Sequence, residues 1–179
     1  MGHLIQIAYY IVIYSQLFKA INRLTAIASP INYRRYFSGT YLKYYIFGPV
    51  LCSFVQNIIY FIPECNILFD PILLKWEYDQ GDCAEVLGMY VDTIWAAALM
   101  GIILFIDFIT LFIVIKTKSK LQNRKTRREF NFFIQTLLTS IIYSLLTFSP
   151  QISSLLNDDK WTTFLSTTFI WLICHMFDG

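Results

Sequence analysis

Residues 86–115 read VLGMYVDTIWAAALMGIILFIDFITLFIVI, a run in which Asp92 and Asp107 carry the only charges. A helix needs about 20 apolar residues to cross the roughly 30 Å hydrocarbon core of a bilayer, because each residue advances it by about 1.5 Å. Strands of a membrane barrel would instead alternate polar and apolar residues over about ten positions, and the run between Met100 and Ile106 does not alternate. The stretch therefore predicts a transmembrane helix.

Other apolar stretches approach the same length and extend the prediction to five spans; they are 4–21, 44–61, 130–148 and 162–179. Hydrophobic residues make up 56% of the chain and charged residues only 15%, against about 25% charged in soluble domains. A soluble all-α core is a poor interpretation, because the five apolar helices would have no amphipathic partners to cover them. The composition also excludes a disordered tail, a disulfide-rich secreted domain and a nucleic-acid partner. We expect one all-α domain over residues 1–179, built as a polytopic transmembrane helix bundle.

The connectors between the predicted spans differ in the sign of their charge. Twelve of the 14 Lys and Arg residues lie between positions 19 and 43 or between 116 and 129, whereas acids dominate residues 64–85. Short basic loops stay in the cytoplasm. The pattern predicts cytoplasmic loops at 22–43 and 116–129, an outer loop at 64–85, and an N-terminus outside the plasma membrane. A cleaved signal peptide is a poorer interpretation, because no Lys or Arg precedes Leu4.

The cysteines divide between the outer loop and the spans. Cys65 and Cys83 lie in the predicted outer loop, where an oxidising environment permits a disulfide. Either they pair with each other or one of them pairs with a partner elsewhere, and the sequence does not choose. Cys52 and Cys174 lie within predicted spans and are interpreted as packing residues. No Cys-x-x-Cys or His/Cys cluster indicates a metal site, and no cofactor is expected.

Asp107 lies eight residues from the end of its predicted span, which is about 12 Å along the helix. An acid at that depth costs free energy and usually faces a polar partner inside the bundle. Asn131, Gln135 and Thr139 recur at every fourth position of the predicted fourth span, so they share one helix face. We expect Asp107 to contact Gln135 or Thr139, either as part of a switch or as a neutral structural carboxyl.

The predicted cytoplasmic side carries two basic features. Arg23 ends the first span, where it either extends toward lipid head groups or makes a specific contact. The basic run over residues 116–128 either attracts anionic lipid, at about 1 kcal/mol for each residue near the surface, or docks a cytosolic partner. An enzyme is not indicated: His175 and Asp178 are spaced i, i+3, but no second acid, nucleophilic serine motif or metal ligand accompanies them.

Several of these residues form a pattern. Residues 22–30 read NRLTAIASP and are followed by Tyr33 and by Phe37-Ser38. This resembles the end of the third helix in rhodopsin-like seven-helix receptors, and in particular the Asn-Arg-Phe-x-Ala-Ile-x-x-Pro pattern of the nematode serpentine receptor class X family. Further matches follow in the family's order, and they are Cys65 and Cys83 flanking Trp76, Asp107-Phe-Ile-Thr110, Arg128-Glu-Phe-Asn-Phe-Phe-x-Gln135, Trp161-x-x-Phe164, Thr167-Thr168-Phe-x-Trp171 and His175-x-x-Asp178-Gly179.

The resemblance implies a G-protein-coupled chemosensory receptor that senses an external small molecule at the membrane of a sensory neuron. It implies that the heterotrimeric G protein contacts the basic inner side, for which the candidates are Asn22, Arg23, Arg34, Arg35, Lys125, Arg127 and Arg128. It further implies that a ligand binds between the outer halves of the helices, for which the candidates are Asp92, Trp95 and Trp171. The intramembrane polar candidates are Asp107, Gln135, His175 and Asp178.

The chain departs from the family pattern at several points. The first two helices, the outer cysteine of the third helix and the tail have no counterpart, so we expect a piece of a longer receptor, with one outer-loop cysteine lacking its family partner. Leu24 replaces the usual aromatic residue. The alternative function is a small polytopic transporter or channel subunit, although the chain lacks the internal repeats and paired broken helices expected of a transporter. A third interpretation is a fragment that only interferes with full-length relatives.

Overall fold

A computed structural model describes most of the first two-thirds of the chain and isolated parts of the rest. The described residues are 2–29, 31–33, 37, 39–62, 65, 67–71, 75–78, 83, 86–118, 134–135, 137–145, 161, 165 and 169. The elements, in order, are helix α1 (Gly2–Ala28), helix α2 (Thr40–Asn57) with a 3-10 turn (Ile58–Phe61), strands β1 (Ile67–Asp70) and β2 (Lys75–Tyr78), a π-helix (Leu87–Trp95) and helix α3 (Ala96–Lys118). Residues 137–145 are also helical.

Three helices in the described part of the chain are long and apolar enough to cross a membrane, and they cover Gly2–Ala28, Tyr41–Phe61 and Leu87–Lys116. The first three predicted spans fall within or close to them. Most of the predicted spans 130–148 and 162–179 lies outside the described residues, so the count of five spans stays a prediction. The first helix runs to Ala28 rather than ending at residue 21. Arg23 therefore lies on the helix itself.

The chain divides into two compact units, each of which contains parts of several helices. The first unit comprises Met1–Gln6, Asn57–Ala97 and Ile142–Gly179, and the second unit comprises Ile7–Gln56 and Ala98–Ile141.

The first unit contains a β-hairpin in the acidic connector. Strands β1 and β2 pair antiparallel, with Ile67 opposite Tyr78 and Asp70 opposite Lys75. A disulfide joins Cys65 to Cys83, whose Cα atoms are 5.5 Å apart. The fully buried Cys65 packs with two other buried residues, Tyr60 and Leu87, and with the partly buried Cys83 and Val91. The predicted outer loop thus contains a small folded element that the helix prediction did not include.

The second unit has the polarity of a membrane protein, with large apolar side chains outside and polar side chains inside. On α2, a helically spaced stripe is between 52% and 71% exposed, and it consists of Tyr44, Phe47, Leu51 and Phe54. Fully or almost fully buried polar residues are Gln16, Ser53, Asp107, Thr110 and Ser140. Such exposed apolar stripes are unfavourable in water but suit a lipid environment. The burial pattern therefore supports the membrane assignment independently of helix length.

Helices α1 and α2 pack closely in this unit. The Ser53 hydroxyl donates a hydrogen bond to the carbonyl oxygen of Ile7 at 2.7 Å. A Cβ atom at Gly48 would lie 2.6 Å from a ring carbon of Phe18, so a larger residue there would force that ring to move. Pro49 follows within the same helix, which is tolerated in membranes where neighbouring groups satisfy the freed backbone carbonyl.

Candidate functional site

The second unit brings Arg23 of α1 to Asp107 of α3. The Arg23 Nη2 atom donates to Asp107 Oδ1 at 2.6 Å, and the two side chains are 10% and 0% exposed, respectively. The Ser140 hydroxyl is a further hydrogen-bonding neighbour of the carboxyl. A carboxylate in an apolar span needs a partner because its desolvation is expensive. Arg23 supplies the opposite charge, so in this structure it makes a specific contact inside the protein rather than extending toward lipid head groups.

The expectation that Asp107 contacts Gln135 or Thr139 is wrong. Gln135 is exposed, and the Thr139 hydroxyl donates at 3.0 Å to the carbonyl of Gln135 on its own helix. The buried face of the helical residues 137–145 instead carries Leu137, Ser140 and Ser144. Asn131 lies outside the described residues, and spacing alone cannot tell which face of a helix turns inward.

The ion pair is incompletely hydrogen-bonded. Four buried atoms around it have no hydrogen-bond partner among the described residues, namely Arg23 Nε, Arg23 Nη1, Asp107 Oδ2 and Asn22 Oδ1. A planar guanidinium could donate two parallel bonds to a carboxylate, but only one such bond is present here. A buried pair with unused donors and acceptors lies high in free energy relative to a fully satisfied one. The contact is thus well suited to exchange for another.

An aromatic series links α1 and α2 to the predicted cytoplasmic connector. Phe18 and Tyr45 have ring centroids 5.3 Å apart, Tyr45 and Phe37 4.8 Å, and Phe37 and Tyr33 4.8 Å. Ile31, in the same connector, is 85% exposed. The sequence interpretation noted Tyr33 and Phe37 only as family matches and missed Ile31. No signal in the sequence distinguished Ile31 from the other apolar residues of this connector, such as Leu24 and Ile27.

The first unit contains a second intramembrane acid. Asp92 is partly buried, and its Oδ1 atom accepts hydrogen bonds from Gln6 Nε2 at 2.6 Å and from the Tyr60 hydroxyl at 2.5 Å. We call Gln6, Tyr60 and Asp92 the Asp92 cluster. It draws one residue from each of three helical segments, α1, the 3-10 turn and the π-helix. The sequence singled out Asp92, but its two donors were not predicted.

The backbone around Asp92 is unusual. Residues Leu87–Trp95 form a π-helix, and the Thr93 hydroxyl donates at 2.8 Å to the carbonyl of Gly88, five residues earlier. π-Helical turns are rare and often occur at functional sites. Trp95, the second ligand candidate, is 47% exposed. His3 stacks on Phe61 with ring centroids 5.4 Å apart, and its buried Nδ1 has no hydrogen-bond partner among the described residues.

The remaining predicted site residues lie outside the described residues, and they are Arg34, Arg35, Lys125, Arg127, Arg128, Trp171, His175 and Asp178. Within the described part of the chain, no group of three His, Cys, Asp or Glu side chains is arranged to hold a metal ion.

Membrane-length helices, exposed apolar stripes and buried polar contacts between helices define a multi-pass helical membrane protein. Over residues 1–179 the chain matches the family described as "Serpentine type 7TM GPCR chemoreceptor Srx". It belongs to this receptor family, and the resemblance found in the sequence is confirmed.

One relative is "Serpentine receptor class X-43" of Caenorhabditis elegans, to which the chain is 24% identical over 182 residues. The aligned region covers 94% of this chain and 55% of the relative, so the chain spans about half the length of that curated relative. No solved structure matches the chain.

Proposed function

We propose that this chain acts as a G-protein-coupled chemosensory receptor in the plasma membrane of a sensory neuron, with its N-terminus outside. In this role it transmits the binding of an external small molecule to a heterotrimeric G protein. Family membership supports the proposal. The structural observation that carries it is the buried, singly hydrogen-bonded pair between Arg23 and Asp107.

The ion pair provides the basis for two states of the receptor. In the resting state Asp107 holds Arg23 inside the second unit. In the active state Arg23 leaves the carboxylate and contacts the G protein. Because the resting pair leaves Arg23 Nε and Nη1 without partners among the described residues, a G-protein surface that offers several acceptors stabilises the released arginine. A partner that binds one state better shifts the population toward that state.

The other inner-side candidates complete the coupling surface. The basic residues Arg34, Arg35, Lys125, Arg127 and Arg128 would attract an acidic surface of the G protein, and Asn22 adjoins the switching arginine. Ile31 would provide an apolar contact, since it is 85% exposed on the same connector. An apolar contact with charged residues around it is typical of protein–protein interfaces.

A test that needs no ligand is the basal activation of G proteins co-expressed with the surface-tagged chain. Asp107→Asn removes the negative charge that holds Arg23, so we expect basal activation to rise about fivefold or more at equal surface expression. Arg23→Ala is expected to abolish activation, and it should also abolish it in the Asp107→Asn background. Lys19→Ala is the matched control, because it removes an exposed basic residue from the same helix.

Activation that stays at the wild-type level in both Arg23→Ala and Asp107→Asn would refute the proposal. Ion or solute flux through vesicles containing the chain, unchanged by Arg23→Ala, would instead favour a small transporter or channel subunit.

A further inference from the structure

We infer that Tyr45 is a positioning residue for the arginine switch, because its hydroxyl accepts a hydrogen bond from Arg23 once the arginine leaves Asp107. The inference rests on the proposed receptor function, since it names the residue that holds Arg23 in the active state. Arg23, Tyr45 and Asp107 all belong to the second unit.

The unused hydrogen-bonding capacity of the two side chains is the first argument. The hydroxyl oxygen of Tyr45 is buried, and within the described residues no hydrogen bond of ordinary distance and angle reaches it. Arg23 Nε and Nη1 are likewise buried without a partner in that part of the chain. A phenolic hydroxyl can accept a hydrogen bond, whereas a guanidinium only donates. A bond between them would therefore satisfy one buried atom on each side.

The proximity of the two side chains is the second argument. Arg23 lies near enough to the Tyr45 hydroxyl to act on it electrostatically, and the backbone of Asn22, the residue before Arg23, approaches the same hydroxyl. Arg23 belongs to α1, whereas Tyr45 belongs to α2 and Asp107 to α3. The arginine can therefore exchange an acceptor on one neighbouring helix for an acceptor on another.

The aromatic rings around Tyr45 provide the third argument. The centroid of the Tyr45 ring lies 5.3 Å from that of Phe18 and 4.8 Å from that of Phe37, with the second pair in edge-to-face geometry. Aromatic pairs of this kind prefer defined relative orientations, so the hydroxyl is held in place before the arginine arrives. Phe37 also stacks on Tyr33, which connects Tyr45 to the connector where we place the G protein.

The relative strength of the two acceptors explains why the pair with Asp107 prevails at rest. A bond from Arg23 to a carboxylate has a charge on both sides, whereas a bond to the Tyr45 hydroxyl has a charge on one side only. Arg23 bound to Tyr45 is then a minor state of the wild-type chain, and a G protein that binds this state selectively enriches it. A guanidinium has five N–H donors, so Tyr45 leaves most of them to the G protein.

Tyr45→Phe tests the inference without a G protein, because it keeps the ring and removes only the hydroxyl. Thermal unfolding in lipid nanodiscs is compared for the wild type, Tyr45→Phe, Asp107→Asn and the double variant. In the wild type the hydroxyl makes no bond with Arg23, so the unfolding midpoint should change by about 1 °C or less. In Asp107→Asn the loss of charge frees Arg23 for Tyr45, so Tyr45→Phe should lower the midpoint by about 3 °C or more.

Tyr41→Phe is the matched control, because it removes the same group from a residue of α2 that is 60% exposed. Its effect on the unfolding midpoint should be the same in the wild type and in Asp107→Asn. A hydroxyl with a merely structural role at position 45 would behave in the same way as this control. Equal effects of Tyr45→Phe in the two backgrounds would therefore overturn the inference.

Basal G-protein activation gives a second readout that needs no substitution at Asp107, so it applies even if Asp107→Asn does not fold. At equal surface expression Tyr45→Phe should lower basal activation about threefold, whereas Tyr41→Phe should leave it unchanged. Activation that depends on Arg23 but not on Tyr45 would retain the receptor function and refute the inference. A background-dependent effect of Tyr45→Phe on unfolding, without activation of any G protein, would retain Tyr45 as the second acceptor and refute the coupling role.

Discussion

Asp107 and Asp92 differ in burial and in their hydrogen-bond partners, although both acids lie in the apolar run 86–115. Asp107 is fully buried, and its partner is the guanidinium of Arg23 at 2.6 Å. Asp92 is only partly buried, and its described donors are the neutral side chains of Gln6 and Tyr60. The carboxylate of Asp107 links α1 and α3 through a charged partner, whereas the carboxylate of Asp92 links three helical segments through hydrogen bonds from Gln6 and Tyr60. The same residue type thus joins helices through an arginine in one unit and through neutral donors in the other.

The largest expected effect on stability comes from removing the arginine that pairs with Asp107. Arg23→Ala leaves the Asp107 carboxylate buried and unpaired, so we expect the free energy of unfolding to fall by about 3–5 kcal/mol. Adding Asp107→Ala to Arg23→Ala should recover much of this loss, because no buried charge remains. Thermal unfolding of the four variants of the double-mutant cycle in nanodiscs measures the coupling. Strictly additive losses would show that the pair is not coupled.

Identical substitutions at the two acids test the comparison directly. Asp107→Asn removes the counter-charge of a buried arginine and should destabilise the fold by about 3 kcal/mol. Asp92→Asn keeps an oxygen that accepts from Gln6 and Tyr60, so the loss from these two hydrogen bonds should be about 1 kcal/mol or less. Unfolding midpoints at matched protein and lipid concentrations compare the two. Equal losses would mean that the two acids have the same electrostatic environment.

The smallest effect reports whether Asp92 carries its charge. Tyr60→Phe removes a hydrogen bond that should contribute about 1.5 kcal/mol or more if the acceptor is ionised, and about 1 kcal/mol or less if it is neutral. Tyr60→Phe should therefore destabilise the wild-type chain more than it destabilises the Asp92→Asn chain. The same loss in both backgrounds would indicate a neutral carboxyl and remove the electrostatic difference between the acids.

Much of the membrane organisation was predictable because hydropathy is a local property. The run 86–115 predicted a helix, and in the structure this run forms the π-helix followed by α3. The end of α1 was misplaced, because Arg23 was expected to mark the membrane boundary. In the structure its charge is neutralised inside the protein by Asp107, so a charged residue within the helix did not end it.

The candidate sites were predictable as residues but not as contacts. Arg23, Asp92 and Asp107 stood out because charges are rare within apolar stretches. The described partners of Asp92 did not, because Gln6 and Tyr60 are ordinary residues whose importance depends on which helix faces turn toward Asp92. The hydrogen bond from Gln6 joins residues separated by 86 positions, a distance at which sequence periodicity carries no information.

Composition and the order of polar and apolar residues were sufficient to predict a helical membrane protein, and the resemblance of its motifs to serpentine receptors suggested its family. The first follows from transfer free energies and the second from a resemblance, and both are read along the chain. The pairing of Arg23 with Asp107, the convergence of two donors on Asp92 and the bond between Cys65 and Cys83 required the three-dimensional arrangement. The first two depend on the rotation of helices about their own axes, which the largely apolar faces of these helices leave undetermined in the sequence, and the disulfide depends on how the connector folds back as a hairpin.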